Sequence, residues 1–121
     1  MNFDRSKRLF EEGQKNLVGA VNSPVRAYKS VGGIPLFIKK AKGSKIIDVD
    51  NNQYIDLVLS YGPMILGHRP KKIEKSIVKA LKNGYTFGAT SAGEIELAKI
   101  ICDAFPSMDK VRFVNSGTEA V

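Results

Sequence analysis

The sequence predicts an α/β chain that is α+β at its amino-terminal end. Three observations carry this: apolar residues recur at helical spacing in three separate segments, short runs of β-formers bounded by Gly and Asx turns fall between the first and second, and an alternating run at 110–114 leads into a small polar turn and a new helix start. A meander, then helices, then a strand feeding a helix is the order found at the opening of a larger α/β or α+β protein. The expectation is therefore a partial sheet, with the chain stopping one turn into its last helix.

Residues 4–17 carry Leu9, Phe10, Gly13 and Leu17 at helical spacing, with Asp4 and Ser6 available as caps. Pro24 lacks an N–H and pushes Ser23 out of the α region, so Gly19–Arg26 reads as an extended loop. Leu36–Ile38, Lys45–Val49 and Tyr54–Leu59, separated by Ala-Lys-Gly-Ser and by Asp50–Gln53, read as a three-stranded antiparallel meander. Gly62, Pro63, Gly67 and Pro70 punctuate a second loop. Pro70 then opens a helix to about Asn83, terminated by Gly84, with Ile73, Ile77, Ala80 and Leu81 on one face and Lys71, Lys72, Lys75, Lys79 and Lys82 opposite. Ser91 and Glu94 form an S-x-x-E capping box for a third helix, which Pro106 stops. Lys110–Val114 alternates as a strand, and Asn115–Val121 begins a further helix.

Composition excludes several classes. With 121 residues the chain holds one ordinary domain at most. One Cys (Cys102) rules out an internal disulfide, and one His beside it cannot complete a structural zinc site. The longest uncharged run, Leu57–His68, is broken by Gly and Pro and too short to span a bilayer, and the start of the chain has no secretory pattern, so the expected location is cytoplasmic. The net charge of +7 is uneven: residues 1–90 hold 16 Lys/Arg against 7 Asp/Glu, and residues 91–121 hold 3 against 5. The lysine face of the second helix has no aromatic interleaving and reads as solvated surface, which leaves a stand-alone basic nucleic-acid-binding module as the lesser reading.

Two segments carry chemistry. Val114–Ala120 is a strand, a small polar turn and a helix start; Gly117 lets the backbone approach an anion, Ser116 and Thr118 offer hydroxyls, and Glu119 can close a capping box with Ser116. The pattern fits a phosphate cup and also a helix that is simply well capped. Asn22–Arg26 puts a hydroxyl and a guanidinium on a stiffened segment, suited to gripping a carboxylate bidentately, or else a surface loop with an incidental Arg. Ser60–Tyr61–Gly62–Pro63 through His68 can line a pocket. With no carboxylate or second His nearby in sequence, His68 reads as structural.

Together, Val21–Ala27, Gly43–Lys45, Asp50–Asp56, Gly62–His68, Phe87–Ala89 and Val111–Ala120 resemble the amino-terminal part of the glutamate-1-semialdehyde 2,1-aminomutase family, which lies within the class III pyridoxal-phosphate (PLP) aminotransferases. The Gly-Thr-Glu-Ala end is shared with related aminotransferases, whereas Val-Asn-Ser-Pro-Val-Arg separates the aminomutases from them. The resemblance implies the opening part of a fold type I PLP-dependent transferase, with residues 1–60 belonging to the small domain and 61–121 to the start of a PLP-binding large domain that is truncated. It implies Ser23, Arg26 and Tyr61 as substrate-binding residues and Ser116, Gly117 and Thr118 as holders of the cofactor phosphate. Tyr61 stands where the family usually has Trp, and Thr90 where it usually has Pro.

The implied activity is an isomerase of tetrapyrrole biosynthesis, moving an amine within glutamate-1-semialdehyde to give 5-aminolevulinate with PLP or pyridoxamine phosphate as cofactor. A homodimer, a small amino-aldehyde substrate and no nucleic-acid or membrane partner belong to the same expectation. The Schiff-base lysine is expected downstream of Val121, since none of the 14 lysines sits in a matching motif, and no metal is implied. The 121 residues alone are therefore expected to be inactive. A class III aminotransferase of another substrate is the alternative, and Asn22–Arg26 discriminates against it.

Overall fold

The computed structural model describes residues 1–121, which divide into two compact units, Met1–Ala80 and Leu81–Val121. The first contains helix α1 (Asp4–Gly13), strands β1 (Ile38–Lys42), β2 (Lys45–Asp48) and β3 (Gln53–Ile55), and nearly all of helix α2 (Lys71–Leu81). The second contains α3 (Ala92–Ala104) and a single turn, α4 (Gly117–Ala120). The expected meander is present as one antiparallel sheet in the order β1-β2-β3. The architecture is that of the opening of a fold type I transferase, with the sheet left incomplete.

Several boundaries move, each for a local reason. The first strand begins at Ile38 rather than Leu36 and takes in Ala41 and Lys42, because Gly43, at φ 57°, makes a two-residue turn with Ser44 tight enough for Lys42 to pair with Lys45. Lysines suit this strand, which lies at an edge of the sheet. The third strand ends at Ile55 rather than Leu59, because the Asp56 carboxylate takes the N–H groups of Val58 and Leu59 that a ladder would have used.

The first helix stops at Gly13 and not at residue 17. The segment after it is not simply extended but contains 3-10 turns at Val18–Ala20 and Pro24–Ala27. Pro24 sits at the first position of its turn, where its fixed φ helps and its missing N–H costs nothing. Residues 110–114, the alternating run expected as a strand, have no ladder partner in the chain and form no strand. An alternating run becomes a strand only when a neighbour supplies hydrogen bonds.

The first unit is held largely by polar groups. Asp48 is fully buried and accepts from the Asn52 N–H (2.8 Å), the Asn52 side-chain amide (2.8 Å) and the Tyr54 hydroxyl (2.9 Å). Burial pushes the Asp48 carboxyl up, yet the hydrogen bonds from Asn52 and Tyr54 together outweigh it and hold the group below its usual 3.8. Tyr54 is pushed up to about 12, by burial first and then by the carboxylate it bonds.

The caps of α1 come not from Asp4 or Ser6 but from Asn2, which accepts from the Asp4 N–H (2.9 Å), and from Asp50, far away in sequence. Asp50 accepts from the N–H of Arg5 (2.8 Å) and from the N–H and hydroxyl of Ser6 (2.9 and 2.6 Å), and so satisfies first-turn donors that a helix leaves open. Among apolar residues only Ala20 and Pro35 are buried. No helix is long and apolar enough to cross a membrane.

Candidate functional site

Ser23 has the extended backbone its following proline imposes (φ −152°, ψ 131°) and is half-buried. Its carbonyl accepts from the Arg26 N–H at 2.9 Å, which closes the Pro24–Ala27 turn and puts the Ser23 and Arg26 side chains on one short, stiffened piece of backbone. Tyr28 ends that turn at φ 56°, and its carbonyl accepts from the N–H groups of Val31 and Gly32. Arg26 is exposed and takes part in neither of the chain's two ion pairs, so its guanidinium keeps its full fork of donors. Beside this segment an open cavity of about 410 Å³ is lined by Tyr28, Gly32, Gly33, Tyr54 and residues of α1 and its approach.

Tyr61 closes a third 3-10 turn, Leu59–Tyr61, and its ring is 67% exposed. The same stretch of chain continues into an apolar groove of about 540 Å³ between Pro63–Leu66 and the Ile73, Ile77 and Val78 face of α2. The expected structural role of His68 takes a specific form that adjacency in sequence did not suggest. His68 Nε2 lies 2.6 Å from Asp56 Oδ2, twelve residues back, with the aspartate buried and the imidazole one-fifth exposed. The His68 hydrogen bond first, and then the Val58 N–H, hold the Asp56 carboxyl below its usual value. An Asp at the end of a β-run often bonds its own following N–H groups, a signal that marks Asp56 but not its histidine partner.

In the second unit Ser116 is the N-cap of α4, extended at φ −147° and ψ 156°. Its hydroxyl accepts from the Glu119 N–H (3.3 Å) and donates to Glu119 Oε2 (3.0 Å), and that carboxylate also accepts from the Asn115 N–H (3.0 Å). The Ser116 half of the capping box read from the sequence is thus formed, while Glu119 reaches Asn115 in place of the Ser116 N–H; the full box is present between Ser91 and Glu94 at α3. The N–H groups of Gly117 and Thr118 lie in the first turn, where a helix supplies no acceptor, and a Cβ on Gly117 would meet nothing within 4 Å. Open space, free first-turn N–H groups and two hydroxyls form a donor set that fits a phosphate.

The class III aminotransferase family model matches residues 27–121. The chain belongs to the class III aminotransferase family. Among curated relatives, the glutamate-1-semialdehyde 2,1-aminomutase of Persephonella marina is 59% identical over 120 residues, covering 99% of this chain and 28% of that protein. This class III chain therefore spans little more than a quarter of the length of the curated relatives it matches. Among solved structures, the β-phenylalanine aminotransferase of Variovorax paradoxus superposes with a TM-score of 0.88 at 32% identity, over 96% of this chain and 26% of its own. A transaminase solved with PLP bound does so with a TM-score of 0.88 at 28% identity, over 99% of this chain and 28% of its own.

Proposed function

We propose that this chain serves a PLP- or pyridoxamine-phosphate-dependent glutamate-1-semialdehyde 2,1-aminomutase, the isomerase that forms 5-aminolevulinate. The observation that carries the reading is the 59% identity over 120 residues to an aminomutase. The Ser23 hydroxyl and Arg26 guanidinium bind the substrate carboxylate and fix which end of the molecule faces the chemistry. Tyr61 provides an aromatic wall with its own hydroxyl where a larger indole would stand, and keeps water from the substrate.

Ser116, Gly117 and Thr118 hold the cofactor phosphate, with a phosphate oxygen taking the Ser116 O–H now given to Glu119. When bound, the cofactor supplies the electron sink for moving the amine between neighbouring carbons. These 121 residues contribute binding and orientation, and by themselves they do not turn over the semialdehyde.

A second reading, a class III aminotransferase acting on another substrate, is favoured by the close backbone match to the β-phenylalanine enzyme. The two separate in one assay of the protein as its gene encodes it. The aminomutase reading expects 5-aminolevulinate from the semialdehyde with no external amino donor; a requirement for a donor and a separate keto acid product would replace it with the second. Arg26→Lys keeps the charge and loses the fork, and is expected to lower kcat/KM roughly 10- to 100-fold, mostly through KM. An unchanged KM would remove Arg26 from the carboxylate site.

A further inference from the structure

Residues 59–62 hold four successive positive φ angles: Leu59 at 52°, Ser60 at 54°, Tyr61 at 63° and Gly62 at 124°. Only the glycine adopts such a backbone freely, since in the other three the Cβ crowds a carbonyl oxygen. A run of three left-handed side-chain-bearing residues persists only where its surroundings hold it, and strain of this kind gathers at sites that bind or act.

We infer that Asp56 and His68 are positioning residues whose joint task is to hold the left-handed Leu59–Gly62 turn and, through it, the Tyr61 ring. Asp56 uses both carboxylate oxygens: Oδ1 accepts from the N–H groups of Val58 (2.9 Å) and Leu59 (3.1 Å) at the entrance of the turn, and Oδ2 is engaged by His68 Nε2 at 2.6 Å. Both residues are tied by backbone to the same hairpin turn of the sheet. The Asp56 N–H donates to the Ser44 carbonyl (2.8 Å), the His68 N–H donates to the Gly43 carbonyl (2.8 Å), and the Gly43 N–H donates to the His68 carbonyl (2.9 Å). Gly67 permits that approach, because a Cβ there would stand 2.9 Å from the Gly43 oxygen.

Tyr61 itself is two-thirds exposed. Its ring is not fixed by packing within the chain, so its placement depends on the backbone of the turn, which Asp56 and His68 hold from one side. Where the Tyr61 ring faces substrate, a clause that rests on the aminomutase reading, loosening the turn weakens substrate binding without touching a group that reacts.

The test is hydrogen exchange of the segment 57–63, with turnover measured alongside, in the protein as its gene encodes it. Asp56→Asn and His68→Leu are each expected to speed exchange there at least ~10-fold while leaving the amides of β2 near their original rates. His68→Gln, which keeps a side-chain N–H donor, should recover most of the protection. The loss caused by Asp56→Asn should shrink in a Ser60→Gly background, since a glycine relieves the strain the carboxylate holds. Additive effects of the two substitutions, an unchanged segment, or acceleration spread equally through the sheet would overturn the hold. If Asp56→Asn fails to fold, His68→Leu against His68→Gln decides the question.

For the substrate clause, Asp56→Asn should raise KM several-fold more than it lowers kcat. A looser turn with unchanged KM overturns that clause. Absence of turnover in the unsubstituted protein defeats the functional reading instead, and leaves exchange to judge the hold.

Discussion

The two units of the chain hold themselves in different ways. In Met1–Ala80 the short-range cluster around Asp48 is joined by long-range bonds: Asp50 caps a helix 44 to 45 residues upstream, the Asn52 amide reaches the Asn2 carbonyl, and His68 reaches back to Asp56 and Gly43. In Leu81–Val121 every side-chain hydrogen bond spans four residues or fewer, and all of them lie at the starts of α3 and α4. Apolar side chains such as Tyr85, Phe87, Ile95, Ile100 and Phe105 stand largely exposed there. Local bonds define where a helix starts but do not fix it in a fold, because most helical stability comes from packing an apolar face. Both units leave apolar side chains exposed, Leu57 and Ile65 in the first among them, so what separates them is the long-range hydrogen bonding that only the first carries.

Substitutions can break this contrast, starting with the largest effect. Asp48→Ala leaves the Tyr54 hydroxyl and two Asn52 donors without an acceptor, and is expected to cost roughly 2–4 kcal/mol in urea unfolding. A cost below about 1 kcal/mol would mean the polar cluster is not what holds the sheet.

Acid should act on the same unit. Asp48, Asp50 and Asp56 all have carboxyls held below the usual 3.8, so their stabilisation is complete above that value and drains away as pH falls through the lowered ones. For Tyr54 the sign reverses: its contribution is complete below 10.0 and is lost as pH rises through about 12. Circular dichroism against pH should show the strand signal failing at both ends, with the helical signal of the second unit indifferent to these groups.

Asp50→Ala removes only the Asp50 cap of α1. Amide exchange at Arg5 and Ser6 is expected to rise ~10-fold, with β2 unchanged. The smallest effect is in the second unit, where Ser91→Ala should cost about 1 kcal/mol and confine itself to the first turn of α3. A larger or spreading effect there would show that α3 is coupled to tertiary structure and would narrow the contrast.

What could be read from the sequence follows the same division. The capping box at Ser91, the Ser116 N-cap and the helix between Pro70 and Gly84 rest on local rules, and the structure follows them, with α2 ending at Leu81 and not near Asn83. The cap that Asp50 places on α1 was not legible, because nothing in Asp4–Ser6 points to an acceptor 44 residues away. The Asp56–His68 pair was missed for the same reason, and so was the end of β3, which depends on a side chain competing with the ladder. Residues 110–114 show the opposite failure: their alternation is clear, but a pattern of side chains cannot supply the neighbouring strand that hydrogen bonds require. At the candidate site the sequence identified the stiffened Ser23–Arg26 segment and the Ser116–Thr118 helix start, while the left-handed turn carrying Tyr61 appears only in the backbone.

We propose that these 121 residues bind and orient but do not hold the cofactor covalently. The most direct measurement is the absorbance spectrum of the chain with pyridoxal phosphate before and after borohydride, followed by intact mass and peptide mapping. No stoichiometric adduct is expected at any one of the 14 lysines. A single lysine modified to completion would contradict it, because the chain would then possess its own aldehyde-binding amine.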